Sequence, residues 1–320
     1  NDIYESRDGW VANGFFSVGI LVDRNGNDRY ETKNFGLGAG YFGVGLLWDM
    51  DGDDQYFCPV FCIGAGGFGI GIVKDEAGND TYRSAEFAQG FGFTQGVGML
   101  LDSSGNDVYY AGGVIVHRPL YSNAYRSLSQ GFAIGMRGEE KGGGIGILWD
   151  KEGNDAYRVE VYGQGAGYWY SWGALMDESG RDSYSAVIYC QGAGVHLAVG
   201  SLVDLEGDDL YSCTDGVGMG GGHDWAVGIL TDFAGNDYYS GAGITQGGGN
   251  ANGIGILLDA EGNDAYSASK EISQGWGNPA RDSFSIGILL DLAGKDYYTH
   301  GGKNGSMWSF GFLGIGWDKE

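Results

Sequence analysis

The chain is poor in proline, cysteine and positive charge. Its 320 residues include 3 Pro, 4 Cys and 18 Lys and Arg, against 42 Asp and Glu. The net charge of -24 leaves no basic stripe to neutralise phosphates, which excludes nucleic acid as a partner and favours cations. No stretch of 18 apolar residues predicts a transmembrane helix. So few prolines also exclude a proline-rich linker.

The four cysteines, Cys58, Cys62, Cys190 and Cys213, match no zinc or haem spacing. Cys58 and Cys62 lie too far apart to bridge within one extended strand, so a disulfide between them has to cross a bend or join neighbouring repeats. The simpler interpretation is that all four are buried thiols. The cysteines therefore do not identify a cellular compartment.

Glycine and aromatic residues are abundant, and they belong to a tandem repeat. The chain has 65 Gly, and Tyr, Phe and Trp make up 14% of it. A motif of the form Asp-x-x-Gly-Asn/Asp-Asp-x-Tyr recurs ten times, about 27 residues apart in most copies. We predict a single repeat domain over residues 1–320. Because the chain opens and stops inside a repeat, we also expect it to be a segment of a longer polypeptide.

Each motif follows a run that alternates with the period of a β-strand. Alternate residues of this run form two columns, one on each face of the strand. One column is almost always Gly, Leu and Asp, as in Gly228, Leu230 and Asp232, while the residues of the other column are larger, apolar and variable. A repeat of this length predicts one coil of an all-β, parallel β-solenoid, with ten or eleven coils stacked into a rod roughly 50 Å long. The alternatives are a β-hairpin-repeat barrel of the outer-membrane type and, less favoured, a propeller or a sandwich.

In a solenoid the two Asp of each motif stack into two carboxylate ladders with steps of about 4.8 Å. Such charges repel, and no Lys or Arg column balances them, so a row of cations is the simplest counter-charge. Hard oxygen ligands favour calcium. The predicted metal ligands are Asp23, Asp28, Asp49, Asp54, Asp75, Asp80, Asp102, Asp107, Asp150, Asp155, Asp204, Asp209, Asp232, Asp237, Asp259 and Asp264. The alternative is that these residues only cap turns.

The turns, for example Gly262-Asn263-Asp264, resemble the Gly-Asn-Asp turns of calcium-binding RTX repeats, which form parallel β-rolls in secreted bacterial proteins. This resemblance implies calcium and an extracellular location. It is confined to the turn, because RTX repeats are about nine residues long. Arg181 and Lys295 put a cation where Asn is expected, so the Asp residues of those two motifs are not among the predicted ligands.

The fourth repeat is longer than the others, and we predict an inserted loop at about 111–143. Long excursions from a rigid repeat often carry function. The loop contains a small basic cluster, and a dense aromatic group follows it, so an acidic glycan is a candidate ligand. The predicted ligand-binding residues are His117, Arg118, Arg126, Arg137, Trp169 and Trp172, with Glu139-Glu140-Lys141 also in the loop. The alternative is a packing loop.

The remaining columns predict structural roles. The Tyr of each motif is expected to stack as a ladder, and the recurring Gln-Gly-x-Gly sequences are expected to form a bend with Gln hydrogen-bonding along the stack. His196, His223 and His300 lie in different repeats and form no ligand set that spacing reveals.

Three function classes follow from these patterns. The first is an extracellular structural or adhesive scaffold, stiffened by cations on the Asp ladders and able to self-associate end to end or side by side into a filament or surface layer. The second is a carbohydrate-binding or polysaccharide-degrading solenoid. No column supplies a dedicated acid/base pair, so catalysis is not supported. The third is an outer-membrane β-barrel.

Overall fold

The computed structural model describes residues 1–7, 9, 11–118, 120–138, 142–269 and 273–320. The chain forms a parallel β-solenoid of about 11 turns, about 27 residues apart. Each of the first ten turns contributes one strand to each of three sheets, the last turn contributes to two of them, and strands of successive turns pair in register. Because these pairs are parallel, the alternative built from antiparallel hairpins is wrong. The short helical segment is a 3-10 helix at Ala280–Asp282, and no described helix has the length and apolar character of a membrane span.

The first sheet, called the tyrosine sheet, contains the strands that follow each Gly-Asn-Asp turn. Its alternation places the motif Tyr inward and its neighbours outward, and Tyr82 pairs with Tyr56 on one side and Tyr109 on the other. Its eleven strands are Ile3–Ser6, Arg29–Thr32, Gln55–Phe57, Thr81–Ser84, Val108–Ala111, Ala156–Arg158, Ser183–Ala186, Leu210–Cys213, Tyr238–Gly241, Ala265–Ala268 and Tyr297–Tyr298.

The second sheet, called the glycine sheet, has strands of only two residues. Its inward positions are Gly or Ala because the opposite wall lies close: a Cβ on Gly92 would be 2.1 Å from the carbonyl oxygen of Ile145. Its ten strands are Gly14–Phe15, Gly40–Tyr41, Gly66–Gly67, Gly92–Phe93, Ala133–Ile134, Gly167–Tyr168, Gly194–Val195, Gly222–His223, Gly249–Asn250 and Gly277–Asn278.

The third sheet, called the leucine sheet, contains the alternating runs. The Gly, Leu and Asp column faces the interior, and the larger apolar column faces outward. Its parallel strands are Val18–Val22, Val44–Trp48, Ile70–Lys74, Val97–Leu101, Ile145–Trp149, Trp172–Asp177, Val199–Asp204, Val227–Asp232, Ile254–Asp259, Ile286–Asp291 and Leu313–Asp318. Met307–Trp308 pairs with the last of these in the antiparallel direction.

The interior is a stack of identical layers. The motif tyrosines from Tyr30 to Tyr266 are at most 1% exposed, and the ring centroids from Tyr4 to Tyr298 are 4.6–4.9 Å apart, with planes within 7° of parallel. The inward Leu or Val of the leucine sheet packs against this ladder. Stacked rings and branched side chains therefore build one continuous core along the rod.

The Gln-Gly-x-Gly bend joins the tyrosine sheet to the glycine sheet. Its Gln residues have positive φ and are fully buried. Gln89 donates from Nε2 to the carbonyl oxygens of Tyr82 and Tyr110, which lie in consecutive coils. The Gln side chains thus tie neighbouring coils through backbone carbonyls rather than through one another.

Each motif needs glycine in its turn because the backbone of the preceding coil lies too close for a side chain. Gly78 has a φ of +150°, and a Cβ there would lie 1.5 Å from the carbonyl oxygen of Gly52. Because no side chain fits, glycine occupies this place in all ten motifs.

The insertion in the fourth repeat consists of two excursions rather than one loop. The first lies between Ala111 and Gln130, and its strands Val116–His117 and Tyr121–Ser129 form a three-stranded sheet with Val161–Gly163 of the following coil. The second lies between Ile134 and Ile145. The coil itself continues between them, because Ala133–Ile134 is a strand of the glycine sheet. Glu139-Glu140-Lys141 of the predicted cluster lies outside the described residues.

Candidate metal centre

Two columns of aspartates line the corner where the leucine sheet turns into the tyrosine sheet. The first Asp of each motif is the last inward residue of a leucine strand or follows it directly, and the second Asp precedes the tyrosine strand. Both columns are buried, with exposed fractions between 0% and 9%. The structure therefore brings together every aspartate that the sequence predicts as a ligand.

The first Asp column is held by the tyrosine ladder. From Tyr56 to Tyr266 the hydroxyl of each motif Tyr donates to Oδ2 of the first Asp of the following motif, at O–O distances of 2.5–2.9 Å. Tyr298 donates to Asp291 of its own motif. In several coils Oδ1 of the same Asp accepts the amide of the residue two places on, as in Asp75 and Ala77 at 3.2 Å. The first Asp thus anchors the turn and the interior at once.

The second Asp column ties consecutive coils. Oδ1 of each accepts the backbone amide of the second Asp in the preceding coil, at 2.5–2.7 Å from Asp54 to Asp296. The other oxygen, Oδ2, has no hydrogen-bond partner among the described residues. This holds at ten consecutive levels: Asp28, Asp54, Asp80, Asp107, Asp155, Asp182, Asp209, Asp237, Asp264 and Asp296.

The second Asp column also lies close to the first Asp column. In the group of Asp80, Asp102 and Asp107, carboxylate oxygens lie within 4.8 Å of one another. Oδ2 of Asp80, Oδ1 of Asp102 and Oδ2 of Asp107 all lack a partner. A buried charged oxygen without a partner costs several kcal/mol, and here the deficit recurs in successive coils. The carboxylate group of each coil therefore requires either a proton or a cation to neutralise it.

The electrostatics show how strongly these groups resist ionisation without a counter-charge. Burial, reinforced by neighbouring carboxylates, raises the pKa of Asp107 to about 9 and that of Asp80 to about 10. Burial also raises the pKa of Asp102, although tyrosine hydroxyls oppose the shift. Without a counter-charge, burial therefore favours the protonated form of these second-column carboxyls over the charged form.

The donor set fits a divalent, oxygen-preferring ion. Each coil contributes two carboxylates, the first Asp and the second Asp of its motif. The second Asp is shared between the groups of adjacent coils, so one divalent ion per coil balances the charge. Carboxylate oxygens are hard ligands of the kind that calcium takes. Several buried Gln Oε1 atoms also lack partners, but they carry no charge and water suffices for them.

The residue between the turn glycine and the second Asp points outward, to the surface of the rod. Asn79, Asn106 and Asn154 are exposed, and each Asn Nδ2 donates to the side chain of the preceding coil, at 2.8–3.0 Å. Arg181 and Lys295 occupy this same exposed column. Asn is therefore not part of the buried groups, and a cation in its place does not remove an interior ligand. Asp177, Asp182, Asp291 and Asp296 continue the two interior columns.

The residues predicted to bind a glycan do not form one site. His117 is buried and its Nε2 lies 3.3 Å from the Tyr162 hydroxyl, while Arg118 is exposed. Arg126 forms an ion pair with Glu86 at 2.8 Å.

Arg137 and the two tryptophans lie on a different part of the coil. The Arg137 guanidinium lies 5.3 Å from the Trp169 ring centroid, and His196 stacks on that ring at 4.6 Å. Trp172 is on the outer face of the leucine sheet, where its Nε1 donates to Ser201. The Trp169 ring thus already contacts two neighbouring side chains.

A histidine group was missed at the sequence level. His196, His223 and Asp224 place ligand atoms within 4.8 Å of one another, and Asp224 pairs with both His196 at 2.7 Å and Arg281 at 3.3 Å. Burial lowers the pKa of His223 to about 4. Alignment of the repeats could have revealed this group, because His196 and Asp224 occupy the same column of consecutive coils.

Comparisons with protein-family models, with curated proteins and with solved structures found no match to this chain.

Proposed function

We propose that this chain is an extracellular structural or adhesive scaffold, a rod whose interior binds a row of calcium ions along the Asp ladders. The observation that carries this proposal is the run of ten consecutive buried carboxylates, each with one unpartnered oxygen. The regularity extends along the chain, as expected when every coil has the same mechanical task. The Cys58–Cys62 disulfide supports an oxidising compartment.

Calcium is favoured over a proton at each level for an electrostatic reason. A proton removes the charge but supplies only one hydrogen bond to a group of oxygens, whereas a divalent ion contacts several oxygens and neutralises two charges. Outside cells calcium is abundant, and binding to the folded state alone stabilises it by mass action. The unfolded chain does not hold the three carboxylates of one group together.

Thermal unfolding tests the calcium proposal directly. The midpoint of the circular dichroism transition is measured with calcium, with magnesium and with excess EDTA. We expect chelation to lower the midpoint strongly, and calcium, but not magnesium, to restore it. Isothermal titration should give close to one ion per coil. An unchanged midpoint would reject calcium and leave the aspartates as protonated turn formers.

The outer face of the leucine sheet supports side-by-side self-association. Among the outward positions of its eleven parallel strands Lys74 is the single charged residue, and it pairs with Glu76. Strand spacing gives this face roughly 800 Å², which equals the area that each partner buries in a standard interface. A flat apolar face of this size is unusual on a monomer. A groove lined by Val97, Ile145 and Val199 continues it.

Sedimentation velocity at low and high salt tests this association. We expect dimers or larger species that increase with salt, because salt screens the net charge of -24. Ile229→Glu on the face should return the protein to monomers. Phe233→Glu, at an exposed position in the adjacent turn, is the matched control and should not. A monomer at all salt concentrations contradicts the association without affecting the calcium proposal.

A further inference from the structure

Four cysteines occupy only two interior columns of the solenoid. Cys58 lies nine places after the first Asp of its motif and Cys62 thirteen places after it. They form a disulfide across the bend that follows the tyrosine strand. Cys213 stands at the position of Cys58, and Cys190 at that of Cys62, but in consecutive coils rather than in one. The same pair of columns can therefore be linked within a coil or between coils.

The sulfurs of the second pair are in contact. Sγ of Cys190 and Sγ of Cys213 are 3.0 Å apart, and both residues are fully buried. The column of Cys190 continues in the next coil as Gly218. A Cβ on Gly218 would lie 2.3 Å from the Cys213 sulfur and 3.0 Å from the Cys190 sulfur. The missing side chain at Gly218 thus makes room for the two sulfurs.

We propose that Cys190 and Cys213 form a second disulfide, which joins the coil that begins at Asp177 to the coil that begins at Asp204. The bond requires the sulfurs to approach from 3.0 Å to about 2.05 Å, a small shift between neighbouring coils. Each thiol gives up one proton and one electron. The two electrons reduce a disulfide donor, such as glutathione disulfide, to two thiols.

The bond forms before the coils close. Burial raises the pKa of the Cys190 thiol well above its ordinary value, and exchange requires the thiolate. Oxidation therefore occurs while this part of the chain is still exposed during folding. The product resists separation of two coils in the middle of the rod, whereas the Cys58–Cys62 bond only closes a bend within one coil. This role is independent of any cation.

Peptide mapping of the wild-type protein tests the proposal. The protein is refolded in a glutathione redox buffer, alkylated under denaturing conditions and cleaved at Glu and at Lys and Arg. Glu206 is the single glutamate between the two cysteines, so cleavage there separates them. We expect peptides 182–206 and 207–261 to remain joined until reduction. Two alkylated thiols at Cys190 and Cys213, or a link from either to Cys58 or Cys62, would overturn the proposal.

A pair of variants tests the consequence of the bond. Cys190→Ala/Cys213→Ala should lower the guanidinium midpoint of the oxidised protein relative to wild type. After both proteins are reduced, most of that difference should disappear. Cys58→Ala/Cys62→Ala, the matched control, should leave the 182–206 and 207–261 link intact. A difference that is equal in oxidised and reduced protein would mean that the residues act by packing alone, and would contradict the proposal.

Discussion

Two columns of the same turn lie one residue apart in the sequence but differ in residue type, in exposure and in hydrogen bonding. The outer column contains Asn, Asp, Arg and Lys, whereas the inner column is Asp in all ten motifs. Asn106 is exposed and donates from Nδ2 to Asn79 in the preceding coil, while Asp107 is buried with one unpartnered oxygen. Both columns form side-chain ladders with the repeat of the solenoid.

The difference shows that repetition alone does not create a binding site. In the outer ladder water solvates the polar groups, so amides, carboxylates and cations are exchangeable at little cost. In the inner ladder the carboxylates are buried, so each charge needs a partner of opposite sign. Only the inner column therefore requires a proton or a cation to balance its charge.

The largest expected effect is a pH dependence that calcium removes. The pKa of Asp107 is raised to about 9 from an ordinary value of 3.8, and that of Asp264 to about 8. The metal-free folded state thus holds protons that the unfolded state has lost, and its stability falls as pH rises from about 4 through these values. In EDTA the midpoint should drop by roughly 10 °C or more between pH 5 and pH 9. With calcium it should stay nearly level, and a parallel drop in both conditions would contradict the proposal.

A smaller effect is expected from Asp107→Asn, a substitution that distinguishes neutralisation by a proton from neutralisation by a cation. Asn resembles the protonated acid, so the midpoint in EDTA at neutral pH should change little. The gain on adding calcium should be clearly reduced, because Asp107 belongs to two groups. Asn106→Ala is the matched control and should stay within about 0.5 kcal/mol in both conditions. Equal losses with and without calcium would show that the carboxylate acts without an ion.

A third comparison concerns the turn glycine. Gly78→Ala should destabilise the protein by about 2 kcal/mol or more, because its φ is positive and its Cβ would overlap the Gly52 carbonyl oxygen. Gly138 also has a positive φ, but nothing lies within 4 Å of its Cβ, so Gly138→Ala should cost about 1 kcal/mol. Denaturant unfolding measures both. Similar values would mean that backbone strain, rather than contact between coils, decides this column.

The sequence predicted the solenoid because every level of pattern agreed. The ten motifs gave the coil length, the alternation of Gly, Leu and Asp gave the strand, and Gly78 and its equivalents marked the turn. The stacked tyrosines were also predicted and are confirmed. The form of the insertion was not predicted, because a strand of two residues such as Ala133–Ile134 carries no recognisable period.

The composition of the site was harder to predict than its position. The structure places the Asn of each turn outside the site, since neighbouring residues on an extended segment point in opposite directions. The glycan cluster did not assemble, because Arg126 and Arg137 lie on separate excursions. Cys190 and Cys213 were not recognised as a pair, although their columns in the repeat contain that information.

By itself the sequence determined the repeat and the two aspartate columns, because a motif copied ten times places its two Asp at the same point of every unit. The parallel pairing of successive coils was decided by the structure. Only the tertiary structure decided which column faces inward. That choice depends on the width of the interior, where the tyrosine rings, the leucines and the glycine sheet leave room for a carboxylate but not for the larger apolar column. Burial then turned ordinary turn aspartates into groups that require a counter-charge.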